Sequence, residues 1–407
     1  MNKEGFLWHA KRGHGICFLI LQNGNIEEYR TDVKKVLLNN YAFLSNGEYR
    51  SSYACALVAF YQDDSHFLNL VWTKIIRTPL SNSFDFDYLI NNLFFLLLRN
   101  KSINYTYKIK KLLEKRLNKN HFSFDETNSI SSIISLILDL KLNIDVDKIL
   151  THYFSNFPTS DLDLSDVKNE YKLCFVQPKK AVLSFDNCLL TDFSLLMEHI
   201  SENNNYLKEI ALISYYISED FIRKLIVELG NNHDSITKMN ILKTIYYSNK
   251  TTFEDSTNLI ALADKANKKE KCYLYSIISN IKSKRVIHLL DSNTNDTLFL
   301  LIALKHYNKT MCEDIKKRIK RIRIVYSDSE MWFEIEESLI ELFCKRESYE
   351  ELLEVLFYFY ETGLSSHSRY TMVRILKKYG YLKKEDFETL KYDANYKTRK
   401  LMARIAR

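Results

Sequence analysis

The residues that could do chemistry stand closest together near the start of the sequence, between Trp8 and Cys17. His14 and Cys17 are three positions apart. A helix that begins early enough would place both on one face, as a nucleophile–base pair or a metal site requires. Glycine flanks His14 on both sides, which indicates unusual backbone dihedrals, and a helix starting after Gly15 would direct amide groups towards an anion. The string could therefore form a small site.

A second interpretation explains the same residues without chemistry. Gly13 and Gly15 would form a turn into the first packed helix, and Cys17 would belong to the core. Two metal ligands alone make no zinc site, so we expect this structural interpretation. If the turn is instead a working surface, the charged residues around Arg50 would lie beside it. The candidate binding residues of this region are His14, Lys11, Arg12 and Arg50.

Basic residues also gather in three later stretches, at residues 108–119, 316–323 and 397–407. Carried on successive helices, they could follow a phosphate backbone, with each contact adding salt dependence to binding. The alternative is a solvated face balanced by acidic neighbours, because five glutamates follow the second stretch between residues 330 and 341. The candidate nucleic-acid contacts are Lys316, Lys317, Lys320 and Arg321.

Glu334, Glu337 and Glu341 share a helix face and could be taken for paired catalytic carboxylates. Such pairs need environments that separate their pKa values, whereas alternating glutamate and apolar residues indicate an exposed face. The sequence contains no HExxH motif, P-loop, GxSxG elbow or GxGxxG fingerprint. These absences weigh against the common nucleotide-using enzymes, and we predict no cofactor and no metal site.

The composition restricts the fold. The chain has 8 glycines and 3 prolines in 407 residues, and no glycine falls between Gly47 and Gly230. Hairpins and dinucleotide-binding folds use glycine in tight turns and phosphate loops, so the sequence argues against both. Helices joined by short polar turns remain, and we predict an all-α protein. A formal net charge of +7 permits contact with nucleic acid without requiring it.

Helical periodicity recurs along the chain. In the segment 218–230, Ser218 can cap a helix and Gly230 can end it. The next segment repeats this plan, with Asp234 or Ser235 as its cap. The apolar face of the first segment consists of Phe221, Ile222, Leu225, Ile226 and Leu229. Short polar connections between such segments favour antiparallel neighbours.

From about residue 185 onwards, helix pairs recur roughly every 35–45 residues, and this spacing resembles that of HEAT and armadillo repeats. The resemblance rests on helix length, spacing and pattern, and the sequence lacks the proline often found in the first helix of those repeats. It implies an α-α superhelix of stacked antiparallel helix pairs and carries over no functional residue.

Composition and proline positions divide the chain into three regions. We predict an N-terminal helical region with the Gly/His turn at residues 1–80, a helical middle region at 81–180, and HEAT-like repeats at 181–407. Pro79 marks the first boundary because proline ends helices. A short hairpin could form only within Val176–Asn187, where a proline interrupts apolar residues.

The seven cysteines are scattered and form no CxxC pair, which favours buried free thiols in a reducing cytosol. The opening residues do not resemble a signal peptide. The most apolar run, Leu93–Leu98, is far shorter than the ~20 residues that span a membrane. We therefore expect a cytoplasmic protein that has no membrane partner.

The sequence leaves three functions open. The first is a cytoplasmic helical-repeat scaffold or adaptor that binds a protein partner, because helix stacks offer a long concave surface and nothing here requires chemistry. The alternative is a HEAT-like solenoid that binds nucleic acid and could act on DNA. The third is an active site around His14 attached to a helical scaffold.

Overall fold

The computed structural model of the protein describes residues 3–42, 49–100, 104–175, 187–202, 213–231, 233–291, 294–322, 329–345 and 349–405. The protein is 75% helical, and the residues in these ranges form no strand. The prediction of an all-α fold from the scarcity of glycine is confirmed. Most of the possible hairpin at Val176–Asn187 lies outside the described residues, and Asn187 begins a short 3₁₀ helix.

The helices before residue 203 are labelled α1 to α11. Their bounds are Lys3–Arg12 (α1), Ile16–Asn23 (α2), Arg30–Leu38 (α3), Arg50–Val58 (α4), Asp64–Arg77 (α5), Ser83–Arg99 (α6), Thr106–Arg116 (α7), Phe124–Asp139 (α8), Val146–Asn156 (α9), Ser165–Tyr171 (α10) and Phe193–Glu202 (α11). Short 3₁₀ helices lie at Ile26–Tyr29, Ala59–Tyr61 and Asn187–Leu190.

The later helices are labelled α12 to α22. Their bounds are Glu219–Glu228 (α12), Ser235–Ser248 (α13), Ser256–Lys265 (α14), Lys268–Ser279 (α15), Asp296–Lys305 (α16), Cys312–Arg321 (α17), Ser329–Cys344 (α18), Leu353–Thr362 (α19), Ser366–Lys378 (α20), Lys384–Leu390 (α21) and Tyr396–Ile405 (α22). Further 3₁₀ helices lie at Phe253–Asp255, Lys284–Leu289, Lys309–Met311 and Glu350–Leu352.

Side-chain caps fix several helix starts where the sequence predicts them. The Ser218 hydroxyl accepts the Phe221 N–H at the start of α12, and Asp234 Oδ1 accepts the Ile236 N–H at 2.8 Å at the start of α13. Each cap satisfies a backbone donor that has no partner inside the helix. The predicted apolar face of α12 is buried, so this local prediction is confirmed.

Contacts between residues divide the chain into two compact units. Unit 1 comprises Met1–Val182, Leu364–Tyr370 and Leu382–Arg407, and unit 2 comprises Leu183–Gly363 and Thr371–Tyr381. The C-terminal segments thus pack with the first helices. The three predicted regions stay a prediction. They are continuous ranges of sequence, whereas the two units are defined by contacts and combine separate segments of the chain.

Within unit 1, several helices contact the next helix, the next but one, or both. Helix α3 contacts α4 and α5, α4 contacts α6, and α6 contacts α5 and α8. The side chains between them form a core of buried aromatic and aliphatic residues that includes Phe6, Phe67, Phe86 and Leu93. Burial of these apolar faces is the main driving force for packing helices of this length.

The helices of unit 2 follow the same scheme. Helix α13 contacts α12 and α15, α16 contacts α15 and α18, and α17 contacts α19. Helix α16 is apolar on all sides, with every residue from Leu298 to Leu304 buried. A helix buried all round must have neighbours on several sides, and α16 is therefore enclosed by other parts of the chain.

Cys17, Cys55, Cys272 and Cys312 are buried free thiols, as the sequence predicts. Cys174 and Cys344 are also free but exposed, so the prediction of burial is wrong for these two. No helix in the described part of the chain is long and apolar enough to cross a membrane.

Candidate functional site

The turn between α1 and α2 has a backbone conformation that favours glycine. Gly13 lies in the left-handed region, with a φ of 69°. The N–H of Gly13 donates to the Ala10 carbonyl and the N–H of His14 donates to the His9 carbonyl, each at 3.1 Å. These are the two hydrogen bonds of a Schellman motif, which ends a helix at a left-handed residue. The unusual dihedral predicted here therefore ends α1.

The chain itself fills the space beside this turn. The Ala394 N–H donates to the Gly13 carbonyl at 2.9 Å. A Cβ built on Gly15 would lie 1.8 Å from the Thr389 carbonyl oxygen, so only glycine permits this approach. The predicted anion position at the start of α2 is thus covered by backbone of residues 389–393.

Arg369 connects the turn to the C-terminal segment of unit 1. Its Nη1 donates to Asp393 Oδ2 at 2.6 Å, and both side chains are 2% exposed. The same guanidinium donates to the carbonyls of Arg12 and Gly13. Charge-assisted hydrogen bonds to fixed backbone groups hold a turn more firmly than apolar contact alone. Arg369 and Asp393 therefore hold the turn in place, and we call this pair the clamp.

Arg12 and Arg50, two of the candidate binding residues, are buried at 3% and 5% exposure. Arg50 Nη2 donates to the Leu364 carbonyl at 2.6 Å. The Arg12 guanidinium stacks 4.0 Å from the ring centre of Trp8 and donates to the Trp8 carbonyl. Both charged groups face the interior of unit 1, and we infer that they stabilise the fold around the turn.

His14 is paired with another histidine. Its Nδ1 lies 2.8 Å from His9 Nδ1, so one ring donates and the other accepts, which requires at least one neutral ring. Burial, with help from Arg12 and Arg369, lowers the pKa of His9 to about 4. Burial and the Arg369 charge lower the pKa of His14 well below its ordinary value. Both rings are therefore neutral at pH 7.

The possible pairing of His14 with Cys17 does not form. The Cys17 thiol is buried and donates to the Phe6 carbonyl at 3.6 Å, while His14 Nδ1 bonds to His9. Burial raises the pKa of Cys17 to about 12, so the thiol is not an activated nucleophile. Lys11 is half-exposed and lies 4.8 Å from the ring centre of Tyr41. No His, Cys, Asp or Glu group suited to a metal ion occurs among the described residues.

The second basic stretch lies on α17 and the residues beside it, and its charges are largely matched by carboxylates. Lys316 pairs with Glu313 at 3.2 Å and Lys320 pairs with Glu354 at 3.1 Å. Arg321 Nη2 lies 2.9 Å from a carboxylate oxygen of Asp296. Lys317 is exposed. Paired charges contribute little net field for a phosphate backbone.

The glutamates of α18 are not all on the solvent side, and the sequence prediction is wrong for Glu336. Glu336 is 1% exposed. Glu334 accepts the Tyr246 hydroxyl at 2.9 Å and lies 3.7 Å from Lys305 Nζ. Glu334, Tyr246 and Lys305 line a polar cleft of about 520 Å³. Burial lowers the pKa of Lys305, and Glu334 opposes that shift.

The Lys305 side chain has partners inside this cleft. Its Nζ donates to Asn280 Oδ1 at 2.6 Å. The resulting network of Asn280, Lys305, Glu334 and Tyr246 joins α13, α16 and α18. Cross-helix hydrogen bonds of this kind explain the buried polar groups without a reaction.

A groove of about 490 Å³ in unit 2 has a different character. Its walls come from α12, α13, α14 and α15, and most of its lining is apolar. Ile226, Leu242 and Leu274 lie at its base, and Lys238 and Lys265 stand beside them. The sequence marks these residues only as parts of separate helices, so the groove emerges from packing.

Comparison of the chain with protein-family models, with curated proteins and with solved structures found no match. What the fold defines is an all-α protein of helices packed against their chain neighbours.

Proposed function

We propose that the protein is a helical-repeat scaffold or adaptor that binds a protein partner, with the helix pairs of each unit stacked as HEAT-like repeats. The stacking is supported by the contacts that helices make with their successors and with the next helix but one. Repeats of this type bury one face against each neighbour and leave extended surfaces for binding.

The observation that carries the proposal is a concentration of exposed apolar side chains in unit 2. Seven large apolar side chains in the described residues are more than half exposed, and five of them fall between residues 213 and 248. These five are Tyr215, Tyr216, Val227, Ile236 and Tyr247. Tyrosine is enriched at the energetic centres of protein interfaces, so these exposed side chains support an interaction surface in this part of unit 2.

Binding to nucleic acid, the alternative, receives less support from the charges. The basic residues of α17 are matched by Glu313, Glu354 and Asp296. Lys119 in the first basic stretch lies 2.6 Å from Glu126. A surface that gains affinity by releasing counterions needs cations that are free to meet phosphates.

A cytoplasmic location is part of the same proposal. Six of the seven cysteines (Cys17, Cys55, Cys174, Cys272, Cys312 and Cys344) are free, as expected for a protein kept in a reducing compartment.

The test is to recover binding partners of the full-length protein from its own cells, with and without nuclease. Tyr215→Ser, Tyr216→Ser and Tyr247→Ser, combined in one variant, should abolish recovery of a protein partner. Tyr107→Ser with Phe124→Ser is the matched control, because both residues are similarly exposed in unit 1.

A partner that is lost on nuclease treatment would instead support the nucleic-acid alternative. Equal recovery by the unit 2 variant and the control would show that the exposed tyrosines do not form the binding surface.

A further inference from the structure

We infer that the groove formed by α12, α13, α14 and α15 binds an acidic amphipathic helix supplied by the protein partner. This inference rests on the proposed scaffold function and specifies both the surface and the chemistry of the partner.

One wall of the groove follows a single face of α14. Asn258, Ala261, Leu262 and Lys265 line it at intervals of three, four and seven residues, which places them on one side of the helix through two turns, or about 10 Å. Asn258 and Ala261 are exposed. The small Ala261 side chain leaves room for another backbone to approach closely.

The base of the groove is apolar. Ile226, Leu229, Leu242 and Leu274 contribute to it from three helices, and Val227 stands more than half exposed at its edge. Removal of apolar surface from water favours association. An occupant must therefore present apolar side chains to this base.

The charges beside the groove indicate which polar residues the occupant carries. Lys238 and Lys265 form no ion pair with any carboxylate in the described residues, in contrast to the paired lysines of α17. The one carboxylate of the lining, Glu270, accepts the Asn267 N–H at 3.0 Å in the capping box of α15. Unpaired lysines beside an apolar base favour a partner that carries carboxylates next to its apolar anchors.

A helix fits these requirements better than an extended peptide. Extended peptides bind by adding a strand to a sheet edge or, as polyproline helices, in aromatic-lined grooves. The described residues contain no sheet, and no aromatic residue lines this groove. A partner helix lying along α14 can place apolar anchors at positions i, i+3, i+4 and i+7 in the groove. Its flanking glutamates or aspartates would then reach Lys238 and Lys265.

The test uses the full-length protein and two fluorescein-labelled peptides of about 16 residues, long enough for four helical turns. Both peptides carry leucine at i, i+3, i+4 and i+7. One has glutamate at the flanking positions and the other has lysine there. Fluorescence anisotropy measures their binding, and circular dichroism checks that each protein variant is folded.

We expect the glutamate peptide to bind and the lysine peptide not to bind. Lys238→Glu with Lys265→Glu should weaken binding of the glutamate peptide about tenfold, as two exposed charge pairs allow. Ala261→Gln should also weaken it by filling the groove. Lys284→Glu, an exposed reversal outside the groove, and Thr257→Gln, on another part of α14, should leave binding unchanged.

Several results would overturn the inference. These are equal binding of the two peptides, no binding at concentrations near 1 mM, or no effect of the groove substitutions. Self-association that Ala261→Gln abolishes would identify a second copy of the chain as the occupant instead. Recovery of the cellular partner by the groove variants would refute the groove while leaving the scaffold function intact.

Discussion

Arg369 Nη1 lies 2.6 Å from Asp393 Oδ2, and this ion pair is enclosed in unit 1 with both side chains 2% exposed. The same arginine donates to two carbonyls of the turn between α1 and α2. The pair therefore connects the turn to Asp393, which lies 24 residues after Arg369 in the sequence. An ion pair that also holds backbone groups specifies one arrangement of the segments it joins.

Asp393→Asn should lower the free energy of unfolding by about 3–5 kcal/mol, because it leaves the buried Arg369 charge without its carboxylate. Urea unfolding followed by circular dichroism measures the change. Glu388→Gln is the control, since Glu388 pairs with Lys391 at 2.7 Å in an exposed position and should cost less than about 0.5 kcal/mol. Similar losses in the two variants would contradict the clamp.

Gly13→Ala should destabilise the protein more than Gly380→Ala. Both glycines have positive φ, 69° and 66°, and an L-residue there costs about 1–2 kcal/mol. A Cβ on Gly13 would also lie 2.2 Å from Arg50 Nη1 and 2.5 Å from Ala394 Cβ, whereas one on Gly380 meets nothing within 4 Å. The enclosed position should add about 1–3 kcal/mol, measured by urea unfolding. Equal costs would mean that the turn relaxes freely.

The local part of this arrangement could be predicted from the sequence. Glycines around His14 indicate a special turn, and Ser218 and Asp234 indicate helix starts, because these signals act within a few residues. The partners of the turn could not be predicted. Arg369 lies 356 positions after Gly13. The sequence around an arginine or aspartate does not indicate which carbonyl or charge the side chain will contact in the fold.

The prediction that the α18 glutamates are exposed was wrong for Glu336 for a related reason. Alternation of glutamate and apolar residues indicates an exposed face only when a helix has one packed side. Helix α18 contacts both α15 and α16, and Glu336 approaches Gly363 so closely that a Cβ there would lie 2.5 Å from its Oε1. Packing on two sides, which the pattern of one helix does not reveal, buries that carboxylate.

The His9–His14 pair should make the protein less stable in mild acid. Burial and nearby arginines hold both pKa values below the unfolded value of 6.5, at about 4 for His9, so the folded state binds fewer protons than the unfolded state. Their contribution to stability is complete above pH 6.5 and is lost as the pH falls towards 4. Asp87 acts in the opposite sense, because burial raises its pKa to about 6.

Urea midpoints between pH 7 and pH 4 measure this dependence. His9→Gln with His14→Gln should flatten the profile, while His121→Gln, which removes a side chain 81% exposed, should not. An unchanged slope in the double variant would show that other groups control the acid response.

Arg318 on α17 tests whether this basic helix is built for packing. Its guanidinium lies 2.8 Å from Asp296, donates to the carbonyls of Thr294 and Asp291, and stacks 4.0 Å from the ring centre of Phe299. A planar group with several fixed donors makes these contacts together, whereas a lysine ammonium can satisfy only some of them.

Arg318→Lys should therefore lower the free energy of unfolding of unit 2 by about 2 kcal/mol, since at least one charge-assisted hydrogen bond and the stacking are lost. Arg321→Lys is the matched control. Arg321 shares Asp296 with Arg318 but is half exposed, so its replacement should cost less than about 0.5 kcal/mol. Tryptophan fluorescence, to which Trp332 of unit 2 contributes as a buried residue, reports unfolding in urea. Equal and small losses would show that Arg318 is dispensable for packing, and α17 would then need another reason for its basic residues.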